Sequence, residues 1–434
     1  MKRELGSLER ALIISDQYAP FHSVCVLKLE SPPPPQILKQ ALRSVQIHHP
    51  FLQARLLKEK GRYFLATLAD AILPFHVLPR WNDEHWVQVA EVELETRIEI
   101  SDKPIFRCTY LYSANHSRAE ILLSFFHPIV DSASLGQLIQ ELLTTCASFM
   151  DERTVAVYEL PPSPPVESRL PYGYRGVWLG WHILRIAVQQ AGDEILYRLQ
   201  TRGKRTPPLR GQSHGHILSL QFPESFVETL VRRAQLETVT LNALLTAAML
   251  TAINRNLYAG QYVPMRTLSF VDMRPFVEPP LTNENLACYI SMLRHTVPVK
   301  GGIDFWLLVR RLQRKMNASF RSGDHFVSTV MVESLLKILT RSQSFRLGAT
   351  ALNFDGVSPL KTEYGGIRLV GVHQYASAYT LGPEFAGQAR LFNGQLIWDF
   401  VYLDTDMSAD EAKAIVEETR SILNSALTSP LFRI

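Results

Sequence analysis

The stretch EILLSFFHPIVDS, residues 120–132, decides how this chain is interpreted. Its first seven residues, Glu120 to Phe126, form an almost continuous apolar run, which predicts a buried β-strand. A short turn follows, and helical spacing predicts a helix from Ser132 to Met150. The sequence therefore puts the imidazole of His127 at the end of a buried strand, beside a turn, where a general base would be held rigidly.

Two side chains of this stretch carry the chemistry. Histidine has an unperturbed pKa near ~6.5, which suits proton abstraction at neutral pH. Asp131 lies where the chain turns into a helix, and there its carboxylate could cap the turn or pair with a distant arginine. A histidine at a strand end is also often an ordinary packed residue. A metal site at His127 and Asp131 is disfavoured, because no third ligand with suitable spacing accompanies them.

Outward from this stretch, helix and strand signals alternate in both halves of the chain. The halves are separated by residues 159–171, ELPPSPPVESRLP, which hold five prolines and few residues that could build a core. The pattern predicts an α+β protein. We expect an N-terminal lobe at residues 1–158, a proline-rich and basic linker or crossover at 159–214, and a C-terminal lobe at 215–434.

Composition excludes several classes of protein. With 46% hydrophobic and 20% charged residues among 434, the chain is neither disordered nor fibrous. A formal net charge of +4 argues against a nucleic-acid partner. The four cysteines lie far apart, which argues against a disulfide framework and favours a reducing cytoplasm. No window resembles a signal peptide or a transmembrane segment, so we expect a cytoplasmic protein.

A second informative segment is FVDMRPF, residues 270–276. It places Arg274 directly after an apolar strand and before a proline. The backbone of such an arginine is restricted, and its guanidinium is well placed to hold a carboxylate.

Together with His127 and Asp131, this segment resembles the superfamily of chloramphenicol acetyltransferase-like acyltransferases and nonribosomal condensation domains. The hallmark of that superfamily is HHxxxDG, or HxxxD in its CoA-dependent members. Other stretches match in order, from about residue 5 to residue 427: HPFLQAR at 49–55, NFDGV at 353–357 and DFVY at 399–402. The chain looks most like stand-alone members such as alcohol acyltransferases.

The resemblance implies a fold and a reaction. The fold would be two chloramphenicol acetyltransferase-like lobes that form a V-shaped pseudo-dimer with a tunnel between them. The reaction would move an acyl group from a CoA thioester, or from a separate carrier protein, to an alcohol or amine, with no covalent enzyme intermediate. His127 would be the general base, Asp131 would pair with Arg274 as structural support, and Ser132 and Asn353 would line the substrate tunnel. Acyl-CoA would be a co-substrate, with no metal and no permanently bound cofactor.

Two departures from the motif leave an alternative open. Phe126 stands where condensation domains have the first histidine, which is common in the CoA-dependent branch. Ser132 stands where the superfamily has a glycine that lets substrate approach the backbone. The added hydroxymethyl group could narrow the tunnel or abolish activity. The alternative is therefore a catalytically silent relative that binds a lipid or a protein partner.

Three further sequence signals have an ordinary structural explanation. The GxSxG match at residues 211–215 follows a basic loop and precedes a strand, the wrong context for a nucleophile elbow. The basic stretch from Arg198 to Arg210 is typical of a solvated loop, with CoA phosphates or anionic lipid as alternative partners. The apolar run from Gly176 to Val188, with Trp178 and Trp181, favours a packed helix. Peripheral membrane contact and an acyl tunnel are its alternatives.

Overall fold

The computed structural model describes residues 1–68, 71–201, 213–282, 284, 286–341 and 346–428. The helices are α1 (Ser7–Tyr18), α2 (Pro35–His48), α3 (His85–Glu95), α4 (Ser132–Met150), α5 (Gly176–Thr201), α6 (Glu224–Leu236), α7 (Leu241–Leu257), α8 (Phe305–Arg321), α9 (Asp324–Leu339) and α10 (Ala409–Thr428). The strands are β1 (Lys2–Glu4), β2 (His22–Glu30), β3 (Ala54–Glu59), β4 (Arg62–Thr67), β5 (Phe75–Pro79), β6 (Phe106–Tyr112), β7 (Arg118–Phe126), β8 (Gly215–Phe222), β9 (Val263–Asp272), β10 (Ile290–Val299), β11 (Gly348–Val357), β12 (Glu363–Tyr364), β13 (Ile367–Ala376), β14 (Pro383–Phe392) and β15 (Gln395–Leu403).

Two six-stranded sheets organise the chain, in the strand orders β12-β13-β2-β7-β6-β5 and β10-β9-β11-β14-β15-β8. Strand β7 is buried over almost its whole length, as its apolar run predicts. Helices α2 and α4 pack on the first sheet and share its core, while α7, α8 and α10 belong to the core of the second sheet. The α+β class and the two sheet-containing lobes of a chloramphenicol acetyltransferase-like pseudo-dimer are confirmed.

The sheets do not follow the predicted lobe boundaries strictly. Strands β12 and β13 come late in the chain, yet β13 pairs antiparallel with β2 in the first sheet. The predicted boundaries at residues 158 and 215 stay a prediction. What they omit is this return of the C-terminal half into the N-terminal sheet, which has no local signal in the sequence because strand pairing is long-range.

The return of β13 joins the two lobes close to the candidate site. On β15 of the second sheet, the buried Asp399 accepts a hydrogen bond from the backbone N–H of Gln374 on β13, at 3.0 Å. A second junction is made by α3, where Glu91 and Glu95 accept hydrogen bonds from the backbone N–H groups of Ile217 and Gly215 on β8. These contacts fix the two sheets relative to each other.

The apolar residues of helices α5, α6 and α7 raise the question of membrane contact. Within the described residues, no helix taken singly is both long and apolar enough to cross a membrane, and only α6 and α7 together, bent by 102°, meet that criterion.

Helix α5 runs through the predicted crossover and exposes Trp178 and Trp181. The interpretation of Gly176–Val188 as a packed helix is therefore wrong for these apolar side chains.

Candidate active site

His127 follows β7 directly and opens a single 3-10 turn with Pro128 and Ile129. Proline suits the first position of such a turn, where its missing N–H has no partner to lose. The imidazole stacks on the ring of Phe21, with centroids 5.3 Å apart and planes 9° from parallel. Its Nδ1 lies 3.9 Å from the Sγ of Cys288. An aromatic ring and a thiol thus hold the imidazole against the end of the buried strand.

The surroundings of His127 favour the neutral form of its imidazole. Burial lowers its pKa below the usual value of 6.5, against the opposing influence of its own carbonyl, the Asp131 carboxylate and the Val130 carbonyl. The ring nevertheless lines a cavity and retains some accessible surface. At neutral pH this histidine is therefore an accessible proton acceptor.

Asp131 caps α4 and makes four short contacts with donors. Its Oδ1 accepts from the backbone N–H of Ser134 at 3.0 Å and from the hydroxyl of Ser134 at 2.9 Å. Its Oδ2 accepts from the Nη1 of Arg274 at 2.8 Å and from the backbone N–H of Tyr289 at 2.7 Å. Burial raises the pKa of this carboxyl, but the guanidinium and the other donors outweigh burial and lower it. Asp131 therefore stays ionised and is not suited to carry a proton.

Arg274 comes from the other half of the chain, just beyond β9, and is 1% exposed. Besides Asp131 it contacts the Asp272 carboxylate at 3.1 Å and the carbonyl oxygen of Ala287 at 3.1 Å. The structure thus brings together two predicted residues that are 143 positions apart in the sequence. The ion pair joins the start of α4 to the end of β9 in the second sheet, and its Asp131 lies four residues from His127.

Two cavities meet at this site. One, of about 160 Å³, is lined by His127 and Phe21 and by apolar side chains of α1, α9 and β9, among them Leu12, Leu268 and Leu336. The other, of about 340 Å³, is lined by apolar residues such as Leu135 and Phe354 and by a group of polar side chains, namely Asp131, Ser132, Asp272, Asn353, Asp355, Ser358, Gln374 and Arg390. The two cavities share Phe270, Ile290, Asn353 and Gln374 as lining residues, so they adjoin.

Ser132 is the centre of a polar network in the second cavity. The side-chain amide nitrogens of Gln388, Asn353 and Gln374 lie within hydrogen-bond distance of its Oγ, at 2.7, 3.0 and 3.2 Å, and the oxygen can accept from two of them at a time. The Gln388 and Asn353 amides also donate to the carboxylate of Asp355. Where the superfamily has a glycine, this chain thus has a hydroxyl on which three amide groups converge.

Sequence reasoning missed several residues of this network. Gln374, Gln388 and Arg390 come from β13 and β14. Arg390 donates to the side-chain oxygen of Gln374 and forms an ion pair with the Asp355 carboxylate. Burial raises the pKa of Asp355, and Arg390 opposes the shift. Polar residues inside otherwise apolar strands are the signal that could have marked them, because a buried polar side chain needs a partner.

The GxSxG match and the histidine pair His48–His49 lie outside the candidate active site. Ser213 is followed by β8 and not by a helix, while residues 211 and 212 lie outside the described residues, as do Arg202 to Arg210 of the basic stretch. His48 and the buried His49 both contact the Glu141 carboxylate, which gives each imidazole a partner. Among the described residues, no group of three or more His, Cys, Asp or Glu side chains could hold a metal ion.

A second constellation only looks like a catalytic triad. Ser219 and Asp399 both contact the same nitrogen, Nδ1, of His373, at 3.2 and 2.8 Å. A serine nucleophile needs the opposite ring nitrogen from the one that the carboxylate orients. This cluster is therefore a buried polar junction between β8, β13 and β15 rather than a nucleophilic centre.

Comparisons with known proteins agree with the predicted resemblance. The family model described as the phthiocerol/phthiodiolone dimycocerosyl transferase C-terminus matches residues 216–376. One of the linear gramicidin synthase proteins of Brevibacillus parabrevis is 26% identical over 236 residues, which are 53% of this chain. The match spans only 3% of the length of that relative.

Solved structures match over almost the whole chain. A trichothecene 15-O-acetyltransferase from Fusarium sporotrichioides is 10% identical, with a TM-score of 0.79 over 98% of this chain and 95% of that one. Polyketide synthase associated protein 5 from Mycobacterium tuberculosis is 16% identical, with a TM-score of 0.69 over 98% of both chains. The first condensation domain of the calcium-dependent antibiotic synthetase is 14% identical, with a TM-score of 0.68 over 99% of this chain and 97% of that one. The chain therefore has the condensation-domain and chloramphenicol acetyltransferase-like fold.

Proposed function

We propose that this protein is an acyltransferase that moves an acyl group from a thioester to an alcohol or amine, with His127 as the general base. The observation that carries the proposal is an imidazole held at a strand end, in an HxxxD motif, that lines one of two adjoining cavities and whose pKa is lowered by burial. The matching family model and one protein of the same fold, the trichothecene 15-O-acetyltransferase, are described as transferases, which supports acyl transfer as the class of reaction.

The proposed reaction needs no covalent enzyme intermediate. His127 accepts the proton of the acceptor's hydroxyl or amine as its oxygen or nitrogen bonds to the thioester carbonyl carbon. The resulting tetrahedral oxyanion collapses, the carbon–sulfur bond breaks, and the proton on His127 goes to the departing thiolate. A general base of this kind contributes about 10²–10⁴-fold to the rate. Asp131 and Arg274 act as positioning residues, because their ion pair holds the start of α4, which follows His127.

The two cavities suit two different parts of the substrates. The cavity at His127 has apolar walls and would hold a hydrocarbon portion. The cavity at Ser132 offers the amides of Asn353 and Gln374 together with Arg390, and would hold the amide-rich arm that CoA and carrier proteins share. Acyl-CoA is the simplest donor, with a separate carrier protein as the alternative.

The proposal includes no permanently bound cofactor and no metal. A cytoplasmic location is part of it, because all four cysteines are buried free thiols, and such thiols persist best in a reducing compartment. These statements rest on the sequence and on the chemistry of the site.

The test is thioester consumption by the purified protein with acyl-CoA and a panel of alcohols and amines. We expect His127→Ala to lower turnover by about 10²–10⁴-fold while the melting temperature stays nearly unchanged. The matched control is Ser213→Ala, which removes the hydroxyl of the motif lookalike and should leave activity intact.

Two outcomes would count against the proposal. If His127→Ala keeps more than about a tenth of wild-type turnover, the imidazole is not the base. The second outcome is that the wild-type protein consumes neither acyl-CoA nor a carrier-bound thioester with any acceptor in the panel. In that case the chain is a silent relative that binds a lipid or a protein partner.

A further inference from the structure

Helix α5 exposes a continuous apolar stripe. Its outward positions follow one another at helical spacing, and the large side chains on them are exposed by 55–85%: Val177, Trp181, Leu184, Val188, Ile195 and Leu199. The stripe runs for about 33 Å at the rise of an α-helix. Trp178, 61% exposed, lies beside its first turn. Contiguous apolar surface of this kind marks an interaction site far more often than scattered exposed residues do.

The face of α5 that meets the rest of the protein is mixed: it buries Ile186, and its C-terminal half makes polar contacts. Glu194 pairs with Arg266 of β9 at 2.5 Å, and Gln190 accepts from Arg294 of β10 at 2.5 Å. Near the start of the helix, Arg185 pairs with Asp324 of α9. A helix of a globular protein normally turns its apolar stripe inward and its charges outward. Helix α5 instead leaves an apolar stripe facing outward, and the polar contacts of its inward face hold it in that orientation.

The sequence that follows the stripe favours an anionic partner. None of its outward side chains is acidic, and both acidic residues of the helix, Asp193 and Glu194, contact groups on the second sheet. Between Glu194 and Glu224 the sequence has no acidic residue, but it has five basic ones: Arg198, Arg202, Lys204, Arg205 and Arg210. A basic segment that continues the sequence of an apolar helix face is the combination that binds anionic lipid.

The aromatic residues favour a lipid surface over a second copy of this chain. Tyr172, Trp178 and Trp181 are 61–79% exposed and cluster at the N-terminal end of the stripe. Such amphipathic rings are enriched at the level of lipid headgroups. A stripe one helix wide is also small against the ~800 Å² per partner of a stable protein interface.

We propose that α5 docks this protein onto an anionic phospholipid surface, with the apolar stripe between Val177 and Leu199 buried at the boundary of headgroups and acyl chains. The docking is peripheral and does not depend on the proposed acyl transfer. It also places α9, which contacts α5 and lines the apolar cavity, next to the membrane-facing side of the molecule.

The experiment is flotation of the full-length protein with vesicles of phosphatidylcholine containing about 30% phosphatidylglycerol, beside vesicles of phosphatidylcholine alone. The variant is Leu184→Glu/Val188→Glu, which puts two carboxylates in the centre of the stripe. The matched control is Ile72→Glu, because Ile72 is 80% exposed and far from α5 in sequence. Circular dichroism melting shows whether each variant folds like the wild type.

We expect the wild type and Ile72→Glu to float with the anionic vesicles, and binding by Leu184→Glu/Val188→Glu to fall at least tenfold. Binding to anionic vesicles should weaken as NaCl rises from about 0.05 to about 0.5 M. The fluorescence of wild-type protein should shift to the blue on binding, and Trp178→Phe/Trp181→Phe should lose most of that shift.

Three results would overturn the proposal. The first is wild-type protein that does not float with anionic vesicles, and the second is equal binding by Leu184→Glu/Val188→Glu. The third is a dimer in sedimentation experiments without lipid that this variant abolishes, which would assign the stripe to a second copy. None of these readouts uses enzymatic activity, so failure here leaves the acyltransferase proposal unaffected.

Discussion

The two cavities of the candidate site differ in what burial does to their titratable groups. In the apolar cavity, burial lowers the pKa of His127 and leaves a neutral base. In the polar cavity, burial raises the pKa of Asp355, while Arg390 opposes the shift. Both groups are pushed toward their neutral forms, and each has an opposing charge, Asp131 for His127 and Arg390 for Asp355. The difference lies in their neighbours: His127 packs on an aromatic ring, whereas Asp355 accepts hydrogen bonds from Asn353 and Gln388 within a polar network.

The largest effect is expected from removing the ion pair between Asp131 and Arg274, which lies beside the polar cavity. Asp131 and Arg274 are 3% and 1% exposed. Loss of Arg274 leaves the buried Asp131 carboxylate without its counter-charge, and loss of Asp131 leaves the guanidinium with the partly exposed Asp272 as its counter-charge. We expect Asp131→Ala and Arg274→Ala each to lower the free energy of unfolding by about 3–5 kcal/mol, and to lower activity with it. The double variant should be much less unstable than the sum of the two. Urea unfolding of the wild type, the two single variants and the double variant completes a double-mutant cycle, which measures the coupling energy between Asp131 and Arg274.

The control is an ion pair on the surface. Lys2 and Glu59 lie 2.6 Å apart with side chains about half exposed, and Glu59→Ala should cost no more than about 1 kcal/mol. A coupling energy below ~0.5 kcal/mol between Asp131 and Arg274 would contradict the supporting role, because residues in direct contact should be coupled more strongly.

The local part of this site could be predicted from the sequence. The strand that ends at His127 has an apolar run, and Asp131 has a helical pattern after it, so both positions follow from short-range signals. The pairing of Asp131 with Arg274 came from the resemblance to the superfamily, since no local rule joins residues 143 positions apart.

What could not be predicted depends on long-range packing. The return of β13 to the first sheet brings Gln374 to Ser132, and no pattern within β13 indicates its partner strand. The exposure of α5 has the same origin, because a stripe of apolar residues indicates a helix face but not which way it points. Ion pairs such as Glu194 with Arg266 decide that orientation.

The acid limb of the pH–rate profile sharpens the comparison at His127. A base works in its neutral form, and a pKa below 6.5 keeps it neutral to lower pH. We expect kcat/KM to be nearly level between about pH 7 and 8 and to fall by about tenfold per pH unit only below the lowered pKa. Phe21→Ser should admit water beside the ring and move this limb to higher pH. A wild-type limb centred above pH ~7 would contradict the assignment.

The smallest expected effect concerns Ser132 in the polar cavity. Ser132→Gly restores the residue that is typical of the superfamily and removes the oxygen on which the amides of Asn353, Gln374 and Gln388 converge. Those amides would then be free to donate to substrate, and the cavity would gain room. We expect kcat/KM for acyl-CoA to rise by about two- to tenfold, mainly through a lower KM. Steady-state kinetics on matched protein preparations measures the change.

Ser132→Ala separates the two causes of that rise. It removes the same oxygen but keeps the Cβ, so it frees the amides without opening the backbone to substrate. If the gain comes from space at the backbone, Ser132→Ala should behave like the wild type. If it comes from the released amides, Ser132→Ala should match Ser132→Gly. A fall in kcat in both variants, with KM unchanged, would instead mean that the hydroxyl orders the amide network for the chemical step, and that the serine is a positioning residue rather than an obstruction.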